Sequence, residues 1–380
     1  VREKRMTMKN LIYILNMLMI LIFASCKDEN SFMSVDDGLT CYSILVSAPN
    51  NATRAVYEES GENIAVKWEK GDVIYVGTNQ FVYKEDRENN TALFVLYGEL
   101  QGMDRTVKFG EDENGTQIQS KNNKCHEVLV GTVPADYFTK APEEIKLLPE
   151  TGKSLLHIQA KSPAMFMGKS LLKIKGLPTE ATEDYTVQLG TDPSLVFADK
   201  NEQLDIYVTV PEGPISSGRT LKFYFYAYDK NTPTDLTHGD EYHYYMKCNA
   251  AITTKNNEVV KLPLPNKPTH TAIQMGLSVK WATMNVGATS DQPGEASFGG
   301  YYPWGETQAI TEPKGTDCYL NGKDENALKD IFGNSDIQGI TKTIGGVVYG
   351  DAATESWGDD WMLPNVTQMN ELVDYALDAV

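Results

Sequence analysis

The chain has 380 residues, of which 41% are hydrophobic and 23% charged, a balance that excludes wholesale disorder and suits two or three domains. Thirty-four Lys and Arg against 52 Asp and Glu give a net charge of −18, a field that repels phosphates and argues against nucleic acid as a partner. Five Cys and five His suit neither a disulfide-stapled miniature nor a metal-rich protein.

Arg2, Lys4, Arg5 and Lys9 precede an apolar stretch from Leu11 to Ala24. As a helix it would span about 21 Å, short of a hydrocarbon core of roughly 30 Å, so its length is that of a signal peptide. It ends in Phe23-Ala24-Ser25-Cys26, which resembles the bacterial lipoprotein box. There a cysteine is required because its thiolate takes the diacylglycerol group, and small residues before it let the strand enter the peptidase cleft. Phe23 stands where Leu is commoner. Cys26 is the expected lipidation site, with acyl chains anchoring the mature chain in lipid. Lys27, Asp28 and Glu29 resemble the export signal of surface lipoproteins in Bacteroidota; a merely polar tether is the alternative. Residues 1–25 are read as leader and 26–37 as tether, with the protein on the outer membrane facing the medium.

From residue 38 onward, period-two patterns recur between turn residues: Leu39 to Ala48, Ile64 to Trp68, Asp72 to Val76, Thr91 to Leu100, His126 to Val133, Leu171 to Leu177 and Tyr185 to Leu189. In Leu221 to Tyr228, Leu221, Phe223, Phe225 and Ala227 point one way and Lys222, Tyr224, Tyr226 and Tyr228 the other. Leu204 to Val210 and Tyr242 to Met246 read as its neighbours. Many short strands without intervening helices predict two antiparallel β-sandwiches, over 38–158 and 159–261.

Ala52-Thr53-Arg54, the run Val66 to Val76 with its Trp68-x-x-Gly71-Asp72 turn, Ser170 to Ile174 and Ile206 to Pro211 together resemble the fimbrillin-like lipoproteins of Bacteroidota. The resemblance implies two transthyretin-like sandwiches behind a lipidated leader and, for members cut after an Arg, polymerisation by exchange of a strand between subunits. Arg54 is the matching residue, and a solvated loop cation is the competing reading of it. Removing an edge strand exposes unpaired backbone groups that another chain's strand can satisfy.

Residues 262–269 hold three prolines and read as a semi-rigid linker. Four of the five tryptophans then follow, at 281, 304, 357 and 361. Met275 to Ala288, Gly299 to Thr307 and Asp351 to Pro364 resemble the Fibrobacter major paralogous domain, a relative of the C-type-lectin-like fold. The resemblance implies an α+β module over 270–380, which family members usually extend with further strands. Asn365 is placed as the cap of a helix whose apolar stripe is Val366, Met369, Leu372, Val373, Ala376 and Leu377.

Trp281 and Trp361 are assigned to the core. Trp304, Trp357, Tyr301 and Tyr302 are candidate glycan contacts, since aromatic faces stack on sugar C–H groups. Asp359 and Asp360 read as an acidic turn rather than a calcium site.

No residue pattern points to an enzyme. The histidines lack metal-ligand spacing, and His238 with His243 reads as a surface pair. Cys125 and His126, adjacent on a strand, would face opposite ways. No Gly-x-Ser-x-Gly elbow occurs. With a single cysteine, Cys318, the module does not suit a formylglycine-generating activity, which uses a pair. Disulfides are open among Cys41, Cys125, Cys248 and Cys318, with Cys41 to Cys248 as one guess.

The expectation is a mainly β, lipid-anchored surface protein without cofactor or metal, acting as a fimbrial anchor, tip or adhesive subunit. Its expected partners are outer-membrane lipid, other fimbrillin-like subunits, and host or dietary glycans. The alternative is a glycan-binding lipoprotein of a polysaccharide-uptake system, with a surface hydrolase behind it.

Overall fold

The computed structural model describes residues 33–378 except 37–38, 49–57, 60–61, 64–67, 69, 89–90, 103–104, 113, 120–127, 140–142, 178–183, 256–257, 291, 293, 311–317, 321 and 335. The protein is mainly β, with a small helical region at its C-terminal end. It divides into two compact units. The first runs to Thr237 and resumes over His243–Pro268; the second takes His238–Tyr242 and everything from Thr269 onward.

The first half of unit one is a nine-stranded sheet. Its strands run in the order Met33–Asp36, Leu39–Ser47, Thr91–Tyr97, Asn79–Arg87, Val73–Val76, Thr106–Phe109, Leu129–Thr132 and Leu148–Pro149. Ile145–Lys146 pairs in parallel with Val46 and Ser47, while Leu148–Pro149 pairs with Leu129 and Val130. One short segment thus joins both ends, and the sheet curls around a single core. Gly131 sits at that junction; a Cβ there would lie 2.8 Å from Leu147 Cδ2 and 3.0 Å from the Lys146 carbonyl. Inside, Trp68 meets Phe94 and Phe109 edge-on at 5.3 and 4.9 Å, the geometry the ring quadrupole favours.

The second half has two larger sheets and two two-stranded ones, Phe166–Met167 with Val196–Ala198 and Gly213–Ile215 with Ile252–Thr254. Lys153–Lys161 lies between Gln203–Pro211 and Val259–Pro263, and Thr220–Tyr226 lies between Ser170–Lys175 and the stretch from His243 to Lys247. The boundary expected at 158 falls inside Lys153–Lys161. That strand has no alternation to read because six of its nine residues are buried, on both faces. Gln117–Gln119 ties the two sheets together. Its backbone pairs in parallel with Val187 to Leu189, and its side chains reach the far edge of Gln203–Pro211. There Gln119 Oε1 accepts from Tyr207 N at 3.0 Å, Gln117 Oε1 from Thr209 N at 2.8 Å, and Gln117 Nε2 donates to the Thr209 carbonyl at 2.7 Å. Two glutamines therefore close a strand edge that backbone would otherwise occupy.

Most pairings are antiparallel, as expected. The exceptions, at Ile145–Lys146, Gln117–Gln119 and Val259–Pro263, are short or terminal segments that return to an existing edge.

Unit two holds the short pairings His270–Ile273 with Trp281–Ala282 and Thr341–Ile344 with Val347–Gly350, and the helices Glu325–Phe332, Ala352–Trp357 and Val366–Asp378. Its organising group is Asp351, which is 0% exposed. Oδ1 caps the helix Ala352–Trp357 by accepting from Ala353 N and Thr354 N at 2.8 and 3.0 Å. Oδ2 accepts from Gly339 N and Leu363 N, both at 2.8 Å. One buried carboxylate thus joins three chain segments, with both oxygens fully engaged.

Asn365 caps the last helix as the sequence predicts, in a reciprocal pair with Gln368 at 2.9 Å each way. The expected apolar stripe is amphipathic in pattern, yet no residue of this helix is buried; Val366, Met369, Val373 and Leu377 are exposed. What holds it is polar: Gln338 donates to Gln368, and Glu371 accepts from Ser278.

Candidate functional sites

Cys26, Lys27, Asp28, Glu29, Arg54, Cys125 and His126 lie outside the described residues. The strand that precedes Arg54 does not. Leu39–Ser47 is interior to its sheet, pairing with Thr91–Tyr97 from Cys41↔Tyr97 to Ser47↔Thr91. Its other edge is shared by Met33–Asp36 and Ile145–Lys146. Between those two neighbours Leu45 N donates to the Tyr137 hydroxyl at 2.9 Å. Burial pushes that hydroxyl up to about 12, the Leu45 amide draws it down, and Glu143 adds a little upward. Ile44 and Val46 are wholly buried, so this strand supplies core as well as backbone pairing.

The second candidate is the loop from Phe298 to Ile310 in unit two. Tyr301 bridges to Ile310, and Glu306 bridges to Tyr349. Gly350 N donates to the Gly305 carbonyl at 2.8 Å, and Thr307 Oγ1 to the Val348 carbonyl at 2.6 Å. Gly305 has φ +77°, and a Cβ there would lie 2.0 Å from Leu320 Cδ1, so only glycine fits. On this rigid loop Tyr301 is 63% and Trp304 52% exposed. Glu306 Oε1 accepts from Tyr319 N at 2.7 Å, and the Tyr319 ring lies 4.4 Å from that of Tyr349 with Lys323 above it at 4.8 Å. Phe298, at the start of this loop, and Tyr319 are also exposed. Sequence reasoning passed over both because neither lies in a quoted motif or beside a tryptophan.

The four candidate contacts therefore separate. Tyr301 and Trp304 offer open faces. Tyr302 is half-buried, with its hydroxyl against Gly287. Trp357 is half-buried, with its ring 5.2 Å from Trp361 and 4.6 Å from His270. Trp361 is buried and Trp281 half-buried.

Two readings need correction. His243 is no surface residue: it is buried under Tyr224, ring to ring at 4.5 Å, because its strand turns it into a layer of aromatic and lysine side chains. Cys41, within Leu39–Ser47, and Cys248, just past Glu241–Lys247, are buried thiols rather than a disulfide, and burial pushes the Cys248 thiol up. Among the described residues no group of three or more His, Cys, Asp or Glu could hold a metal ion, and no helix is long and apolar enough to cross a membrane.

Searches for relatives returned little. No family model matches, and no curated protein does. Among solved structures, a leucine-rich repeat protein from Bacteroides thetaiotaomicron aligns over 60% of this chain at 11% identity and a TM-score of 0.22. The chain spans only 26% of that protein. GBS52, the minor pilin of Streptococcus agalactiae, aligns over 60% of this chain and 96% of its own at 7% identity and a TM-score of 0.15. At these scores neither likeness carries an argument about fold or function.

Proposed function

We propose that the chain is a lipid-anchored cell-surface subunit of the fimbrillin type, non-enzymatic, which assembles by strand exchange and presents a contact module at one end of a filament. The observation that carries this reading is the position of Leu39–Ser47, interior to its sheet and entirely upstream of Arg54. A cut after Arg54 leaves that strand held by pairing and packing alone. Its departure would open a groove between Thr91–Tyr97 and Ile145–Lys146 lined by unpaired backbone and core side chains, which a strand from a second subunit can fill. Cys26 attaches the uncut chain to the outer membrane, with Lys27, Asp28 and Glu29 as the outward address, and a cut after Arg54 releases that tether together with the strand. A further folded unit behind the sandwich obstructs growth along a shaft, hence the terminal position.

Limited trypsin treatment of the purified full-length chain tests this. A new N-terminus at Ala55 together with a ladder of oligomers on unheated gels supports strand exchange. Cleavage at Arg54 that yields only monomer, with Leu39–Ser47 retained, counts against it.

A second reading, glycan capture for an uptake system, is favoured by the open faces of Tyr301 and Trp304 on a rigid loop. Glycan-array binding by the intact chain, without oligomers, would favour it.

A further inference from the structure

In the second half of unit one, the strands Tyr185–Leu189, Ser170–Lys175, Thr220–Tyr226 and the stretch from His243 to Lys247 lie side by side in one sheet. Their inner face is core: Leu172, Ile174, Val187, Phe223, Phe225 and Tyr244 are at most 1% exposed. The outer face differs in kind. Lys173 pairs across the sheet with Tyr224, and Lys175 with Lys222. Lys173 Nζ lies 5.7 Å from the Tyr226 ring centre, Lys175 Nζ 5.0 Å from Tyr224, and Lys222 Nζ 5.3 Å from Tyr245. Tyr224 and His243 form a buried floor, and Lys173, Lys175, Lys222, Tyr226 and Tyr245 sit half-buried above it. No Asp or Glu stands on Ser170–Lys175, Tyr185–Leu189 or Thr220–Tyr226. Glu241, which belongs to the second unit, is engaged by Lys280 at 2.9 Å.

A run of lysines over tyrosines, with no acid on three of its strands, stands out in a chain of net charge −18. The geometry points to a docking face for an anionic polysaccharide, a polyuronate or sulfated glycan, laid across these strands. Each lysine lies along a ring face, so its ammonium is already oriented before a ligand arrives. Successive outward side chains on a strand stand about 6.6 Å apart and neighbouring strands about 4.8 Å, so the cations form a grid rather than a single point. Carboxylates or sulfates repeating along a polymer can meet several at once. A protein partner fits poorly: lysine is depleted at the centres of protein interfaces, and the half-buried outer layer holds no aliphatic anchor. Single-stranded nucleic acid could use the same cations, but it binds by stacking successive bases on open rings, and here Tyr224, Tyr226 and Tyr245 each carry a lysine over the ring.

The test is titration of the intact chain with polygalacturonate, heparin, neutral dextran and oligothymidylate at low and high salt. Saturable binding of polygalacturonate or heparin is expected, with none to dextran and a marked loss at high salt. K173S/K175S/K222S should weaken it about tenfold or more, and K173R/K175R/K222R should restore most of it. Independently of any variant, the bound polymer should protect Lys173, Lys175 and Lys222 from acetylation in the native chain. Absence of polyanion binding, equal or tighter binding of oligothymidylate, or unprotected lysines would overturn the proposal.

Discussion

The curled sheet of unit one and the whole of unit two are held together by different means. The sheet encloses one cluster of sixteen buried residues, from Ile44 to Leu147, with five aromatic rings among them. Among the described residues, unit two has two clusters of three: Ala272, Ala353 and Trp361, and Leu320, Leu328 and Ile337. At about 1.5–3 kcal/mol for each large apolar side chain removed from water, the sheet rests chiefly on burial. Unit two cannot, so polar staples carry a larger share: Asp351 with its four amides, Thr354 Oγ1 on the Trp361 carbonyl, and Gln338 on Leu363 and Gln368. A region stapled in this way can leave rings such as Tyr301 and Trp304 on its surface, because its stability does not depend on burying them.

The sharpest way to break this comparison is Asp351→Ala. It strands four amides, those of the buried Ala353 and Thr354 at about 1–3 kcal/mol each, and should abolish the thermal transition of unit two while leaving that of unit one in place. If calorimetry shows both transitions unmoved, polar staples do not hold unit two. Phe94→Ala is the counterpart in the sheet, where the ring is wholly buried beside Trp68 and Tyr83. It should cost about 3–5 kcal/mol in urea unfolding and spare unit two.

A smaller effect sharpens the picture of the strand Leu39–Ser47. The Tyr137 hydroxyl is pushed up to about 12 by burial, above its ordinary value of 10. A raised folded-state value means that the contribution is complete below pH 10 and is lost as pH climbs toward 12. The urea midpoint of unit one should therefore fall between these limits, and Tyr137→Phe should flatten the fall. Trp304→Ala should have the least effect on folding, within about 0.5 kcal/mol, since the ring is half in solvent. On the glycan-capture reading it should nonetheless remove most retention on a glycan column; unchanged retention would exclude that ring as a contact.

Much of the strand order along the chain was legible in advance. Tyr185–Leu189 has the expected bounds, and Leu39–Ser47, Val73–Val76 and Thr220–Tyr226 differ from them by a residue or two, because each alternates in character. Asn79–Arg87 and Thr106–Phe109 escaped notice, the first because Lys84 to Arg87 is charged throughout, the second because four residues leave little pattern. Of the aromatic loop, Tyr301 and Trp304 were visible from their motif. Phe298 and Tyr319 were not, since the contacts that place Tyr319 run through Glu306 and Tyr349, distant in sequence.

By itself, the order of residues determined that this is a β protein with a composition shift near the prolines, because side-chain alternation and turn residues are local properties. Which edges meet, which lysines share a face and which carboxylate gathers four amides were decided only in three dimensions. Gln117 and Gln119 capping Tyr207 and Thr209, or Asp351 reaching both Gly339 and Leu363, depend on approaches between distant segments. No local propensity encodes such approaches; the packing of the whole chain does.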